Sequence, residues 1–430
     1  MFGKKAKKRT YPLFAVKRAP QPAKIKVYRT AKRPLSYAFF ALPSVCLLLL
    51  ALFAVMDTVR TDPQTAEWWT THIQAGWEKF AGTISSVFPF SVFEFCVVVL
   101  ILSGIFLAVR LFINLCHANF KRIAFGIVSV ATAAFTVLDL YMMSMGFGYY
   151  RYAMPLPQAG GGYSAQQAVE AVEYFLNDYN ALAKKFERDA DGNVVCPYTF
   201  KELSELLIDE YARVYDGYML KYTPTVKPIV NSWLLSDVLI IGITFLPTGE
   251  ANVNIDAPAT QAVSTMAHEL AHTKGIQREG DANLISQYLL ISSSNDYLRY
   301  CGYFDTFNKL LSAVMLAGDK ENYLRLSYAV DPLIGAERRI TREYWNAQPD
   351  ITGKIGEFFN NIYLKLNGAS NGTGSYDDGN KTDTVTPIDP DTGEPEKDPD
   401  TGDTVVIPVY SSLQKLYFYL YEQSKGYANK

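Results

Sequence analysis

Only four histidines occur in the 430-residue chain, His72, His117, His268 and His272, and the last two frame the run His268-Glu269-Leu270-Ala271-His272. On a helix, residues i and i+4 share a face, so both imidazoles can point at one ion. Glu269 is turned about 100° from its neighbour. It misses the metal and reaches a water held on it. This H-E-x-x-H pattern suits zinc and the activation of that water. A catalytic zinc also needs a third protein ligand and an open position. The downstream carboxylates are Glu279 and Asp281, because the position where a third histidine can follow such a motif holds Arg278. Glu279 is the first choice and Asp281 the second. Asn283 lies four residues past Glu279, shares its face, and can orient a histidine from behind.

The elements around the motif agree with it. Pro258 precedes the helix, Val263, Met266, Ala267 and Leu270 give it an apolar face, and Gly275 is placed to end it. The run HELAHTKGIQREGDANLI resembles the gluzincin branch of the zincin fold, in which a second helix supplies a glutamate within E-x-x-A-D or E-x-x-A-N. The His272-to-Glu279 spacing is shorter than in better-known gluzincins. GYYRYAMPLP, FLPTGEANVNID and NDYLRYCGYF further resemble a family of uncharacterised bacterial membrane proteins with N-terminal spans and a zincin-like outer domain. The likeness covers about residues 36–367. The likeness bears on the fold; the site chemistry is what leads to the expectation of one zinc ion per chain on His268, His272 and Glu279, with Glu269 as general base in peptide-bond hydrolysis. The segment Glu250–Asp256, EANVNID, alternates apolar and polar residues as a half-buried strand does. It resembles the zincin edge strand, so Glu250, Asn252 and Asn254 become candidate substrate-strand residues. Tyr300 and Tyr303 are candidates for a hydrogen-bond donor to the developing oxyanion.

Hydrophobic residues make up 49% and charged residues 20% of the chain, which excludes a mostly disordered protein. Three apolar runs, at about 36–56, 92–109 and 123–146, each approach the length needed to cross a bilayer. Residues 1–33 hold twelve Lys and Arg and no acid, leaving the remainder with a net charge of −14. Such a tail before a span reads as a cytoplasmic topology signal rather than a nucleic-acid arm. The link Arg110–Arg122 is basic and belongs on the same side. The expected organisation is a basic cytoplasmic tail (1–35), three transmembrane helices (36–148) and an extracytoplasmic zincin-like domain (149–430). The fold class is mainly α with a small β-sheet (α+β).

Within the last part, Gln166–Arg188 and Phe200–Tyr215 read as amphipathic helices, Trp233–Phe245 as strand-like, and most of 259–367 as helical. Residues 368–404, with DPDTG twice, read as a flexible insertion. Cys196 and Cys301 fall on the same side of the membrane and can pair in an oxidising compartment. The partners expected are the lipid bilayer and a peptide or protein at the membrane outer face. The competing expectation is a catalytically silent sensor or scaffold that binds a peptide or ligand.

Overall fold

The computed structural model describes residues 35–159, 163–388, 394–397, 404 and 407–426. The basic tail as far as residue 34 and both DPDTG repeats lie outside the described residues.

The first part is built on α1 (Leu35–Val59), α2 (Pro63–Trp69), α3 (Ala75–Ser85), α4 (Val92–Cys116) and α5 (Phe120–Tyr141). Asp62, Ser91 and Asn119 cap α2, α4 and α5 with their side chains, which satisfies backbone donors a helix start leaves open. Among the described residues three helical stretches, of 20, 25 and 31 residues, are long and apolar enough to span a membrane. The third continues α5 through a π-helical turn, Met142–Gly146, and a 3-10 turn, Gly148–Tyr150. α1 and α5 pack along one another, whereas α4 buries none of its residues.

The remainder is a helical lobe with two small sheets. It comprises α6 (Ala165–Lys185), α7 (Phe200–Arg213), β1 (Lys227–Ile229), α8 (Ser232–Asp237), β2 (Gly242–Phe245) and β3 (Glu250–Asn254). Next come α9 (Ala259–Thr273), α10 (Glu279–Ile291), α11 (Asp296–Leu316), α12 (Lys320–Tyr328), α13 (Pro332–Asn346) and α14 (Asp350–Leu366). A 3-10 segment, Gly372–Asn380, leads to β4 (Asp383–Val385), β5 (Ile407–Val409) and α15 (Ser412–Ser424). Ser164 with Gln167 and Thr199 with Glu202 form capping boxes that start α6 and α7. The core lies where α6, α9, α10, α11 and α15 meet, around Val172, Phe175, Tyr179, Leu270, Phe307 and Tyr417.

Trp233–Phe245 is not one strand: α8 occupies its first half and only β2 is extended. β3 is not an edge. It sits between parallel β1 and antiparallel β2, and every residue in it is buried. Its polar members face internal partners rather than water. Asn252 Nδ2 donates to the Ile243 carbonyl at 3.2 Å, and Asn254 Nδ2 donates to Ser236 Oγ at 3.0 Å.

The sheet is fastened to the start of α4 by a reciprocal carboxylate clamp. Glu250 accepts the backbone N–H of Val92 at 3.0 Å and of Phe93 at 2.9 Å. In the other direction Glu94, in the first turn of α4, accepts the N–H of Val230 at 2.8 Å and of Asn231 at 3.0 Å. Phe93 and Phe245 pack beside this clamp with ring centroids 5.0 Å apart. Arg60, one residue past α1, donates to the Leu366 carbonyl at the end of α14, at 3.2 Å.

Candidate metal centre

α9 presents His268, Glu269 and His272, and α10 opens with Glu279. The turn between them brings the two helices together. Gly275 ends α9 with φ +80°, in the left-handed region that favours glycine. A side chain there would also collide: a Cβ would lie 2.9 Å from Thr70 Cγ2 and 3.1 Å from Arg151 Nη1. Arg151 Nη1 donates to the Gly275 carbonyl at 3.0 Å, while its Nε and Nη2 hold the two oxygens of Glu67 at 2.9 and 2.8 Å. Its guanidinium lies 3.8 Å from the Tyr218 ring centroid. The arginine of GYYRYAMPLP thus ties the turn after the histidine helix to α2.

Three ligand atoms converge. His268 Nε2 is 3.2 Å from Glu279 Oε2 and 3.1 Å from His272 Nε2, and His272 Nε2 is 3.5 Å from the same oxygen. A tetrahedral ion bound at about 2.0–2.1 Å from each ligand sets its ligand atoms about 3.3 Å apart. The observed triangle fits that edge. The donor set fits as well, because two imidazole nitrogens facing each other need a cation or a shared proton between them. His272 Nδ1 donates to the Ile276 carbonyl at 2.8 Å. That bond places the proton on Nδ1 and leaves Nε2 free to ligate.

The group is strongly coupled. Burial alone would push Glu279 up and His272 down, but their mutual attraction outweighs it. His272 is raised to about 9 and Glu279 lowered to about 2.

Glu269 lies beside the cluster. Thr244 Oγ1 donates to its Oε2 at 2.6 Å. Burial raises its carboxyl above the ordinary value, which favours a form that accepts and carries a proton. The strand passes close by: a Cβ on Gly242 would lie 2.4 Å from Glu269 Oε1, so this position takes glycine without disturbing the carboxylate. Among the described residues β2 pairs on one side only, with β3. The edge beside Glu269 is therefore that of β2, not β3.

The other candidate residues are distributed differently. Asp281 is held by Arg278 at 2.8 Å and is outside the cluster. Asn283 does not support a histidine; its Nδ2 donates to the Tyr376 carbonyl at 2.8 Å. Tyr300 donates to Glu337 at 2.6 Å, and Tyr303 to Asp178 at 3.0 Å. Both pack against Tyr179 in the core with their rings steeply inclined to it, so neither serves the centre. Glu250 caps α4, and Asn252 and Asn254 are internal to the sheet. Cys196 and Cys301 are free thiols.

The tyrosine that does reach the cluster is Tyr376. It lies in Gly372–Asn380, which is packed on α10 and α14 rather than forming part of a loose insertion. Its ring centroid is 6.2 Å from that of His268. Burial, with the carboxylates of Glu279 and Glu269 nearby, raises its hydroxyl pKa, so the group stays protonated and able to donate. Asn360 Nδ2, on α14, lies 3.4 Å from that hydroxyl. A run such as SYDDG offers no periodicity to reveal this, so only the fold brings Tyr376 to the cluster.

A mainly helical chain with three long apolar helices, small sheets and a buried His-His-Glu group of metal-ligand geometry is the class these observations define. Residues 69–379 match the model of DUF3810, described as a protein of unknown function, and the chain belongs to that family. The matched region includes α4, α5, the cluster and Tyr376. No curated protein and no solved structure matches the chain.

Proposed function

We propose that the protein is a membrane-anchored zinc metallopeptidase that hydrolyses peptide bonds on the outer face of the cytoplasmic membrane. The observation that carries this reading is Glu269, whose carboxylate is held by Thr244 next to a three-ligand group. A site that only stored or structured a metal needs no buried carboxylate in that position.

His268, His272 and Glu279 would hold the ion. Bound zinc supplies Lewis-acid polarisation of a carbonyl and an acidified water. The chain supplies the rest. Glu269 takes the proton from the attacking water and hands it to the leaving amine. Thr244 keeps the carboxylate oriented through both transfers. Tyr376 is the candidate donor to the oxyanion. The outer edge of β2 can receive an extended peptide by strand addition. The basic tail sets the N-terminus inside, and the lobe from about residue 149 outside.

Glu269→Gln tests the assignment in the full-length protein. The variant is expected to keep its metal and to lose peptide cleavage. Unchanged turnover in that variant would contradict the assigned chemistry.

A further inference from the structure

α14 carries an apolar face that the described residues leave uncovered. Ile355, Phe358, Phe359, Ile362 and Leu366 are 40–70% exposed. At 100° per residue they fall in an arc of about 100°. A second sector of the helix, with Lys354, Glu357 and Lys365, is exposed and polar. A third sector packs on the protein, with Gly353 and Gly356 against Leu239 and Val238. An apolar stripe beside a charged one is the pattern of a helix lying in a membrane interface.

The C-terminal end of α14 is tied to the ends of α1 and α5. Its last turn is held by Arg60, at the end of α1, and Tyr141, at the end of α5, donates to Asn367 at 2.5 Å. Its first half rests on Val238 and Leu239, just past α8. The chain entering α8 is bonded to Glu94 in the first turn of α4. α14 thus contacts the ends of α1 and α5 directly and is linked to the start of α4 through α8. Phe88 and Phe90, just before α4, and Trp233 and Leu234, on α8, are exposed as well.

We infer that α14 is an interfacial helix whose apolar face lies in the outer lipid leaflet and holds the metal centre at the bilayer surface, so that its substrates are polypeptide segments immediately outside a membrane anchor. The seat of α14 rests on reading α1, α4 and α5 as spans, and the substrate class also rests on the peptidase reading. Thr244 holds Glu269, and the next residue, Phe245, packs on Phe93 in the first turn of α4. Because neighbouring strand residues point to opposite faces, β2 has Glu269 on one face and the first turn of α4 on the other. The protein side of the same helix reaches the site: Asn360 contacts the Tyr376 hydroxyl, and the Tyr363 hydroxyl shares a 2.9 Å hydrogen bond with Tyr149.

The test uses the full-length protein in phosphatidylcholine–phosphatidylglycerol vesicles with a photoreactive benzoylphenylalanine (Bpa) placed singly as Phe359→Bpa, Glu357→Bpa or Leu102→Bpa. Irradiation is expected to give lipid adducts at position 359 and at position 102, on exposed α4, and none at 357. Adducts at 102 without any at 359 would overturn the seat of α14. No adduct at 102 would overturn the reading of the spans and the inference with it. In a second arm, random-sequence peptides are supplied either free or acyl-anchored in the same vesicles. The anchored pool is expected to be cut about 100-fold faster, the scale of an effective-concentration advantage. A Phe358→Ser/Phe359→Ser double variant is expected to narrow that ratio while keeping its metal and its rate on free peptides. Equal cutting of both pools by the unmodified protein would overturn the substrate class. Cutting of neither pool would count against the peptidase reading, with the lipid adducts still deciding where α14 lies.

Discussion

At the residue scale the centre depends on a few short contacts with distinct jobs. Tyr376→Phe removes one hydroxyl and leaves the ring beside His268. It should lower kcat by about 100-fold, as loss of an oxyanion donor does, with metal content unchanged. Equal kcat in the two proteins would remove Tyr376 from the chemistry. The raised pKa of His272 predicts how the metal is bound. Zinc takes a neutral imidazole, so below about 9 each binding event must displace the proton on His272. Apparent affinity should therefore rise about tenfold per pH unit through the neutral range and level off above that value. A chelator-competition titration checks this, and a flat profile would contradict it. The three motif residues and Glu279 were legible in the sequence because i,i+4 spacing and a nearby second helix fix their geometry. Tyr376, Thr244 and Gly242 were not, because their roles come from contacts between segments distant in sequence. Tyr300 and Tyr303 misled for the same reason: the chain has 29 tyrosines, and nothing local separates one packed against Tyr179 from one beside a histidine.

At the element scale the most consequential contact joins sheet and span. Glu250 looked like a substrate-strand residue because EANVNID alternates as a half-buried strand does. Alternation reports which side chains share a face, not what that face meets. Here the polar set meets backbone donors and neighbouring side chains, and the strand is central. Glu250→Ala would leave the N–H groups of Val92 and Phe93 without their carboxylate partner. At about 1–3 kcal/mol for each unsatisfied group, and nearer the lower end because both N–H groups are only partly buried, thermal or denaturant unfolding should show a loss of about 2 kcal/mol. A change near zero would mean that water replaces the clamp. The segment 368–404 shows the opposite limit. Its Gly-, Asp-, Thr- and Pro-rich composition suggests looseness throughout, yet the part up to Asn380 packs on α10 through Asn283, with Gly379 against Leu284.

At the scale of the whole molecule, helices of membrane-spanning length and a metal-type cluster are one unit. Arg151, Glu67, Glu94, Glu250 and Arg60 each bond across the boundary between them. The apolar runs were plain in the sequence because length and lack of charge are local properties. Their attachment to the centre was not, since it depends on single polar residues whose partners lie up to 307 positions away, as Arg60 and Asn367 do. The claim on which the rest stands is that His268, His272 and Glu279 hold one zinc ion. The most direct measurement is zinc per chain in the full-length protein purified without added metal, compared with His268→Ala and Glu279→Ala. Close to one zinc per chain is expected in the unmodified protein and almost none in either folded variant. Zinc retained in Glu279→Ala, or absent from the folded unmodified protein, would contradict that claim.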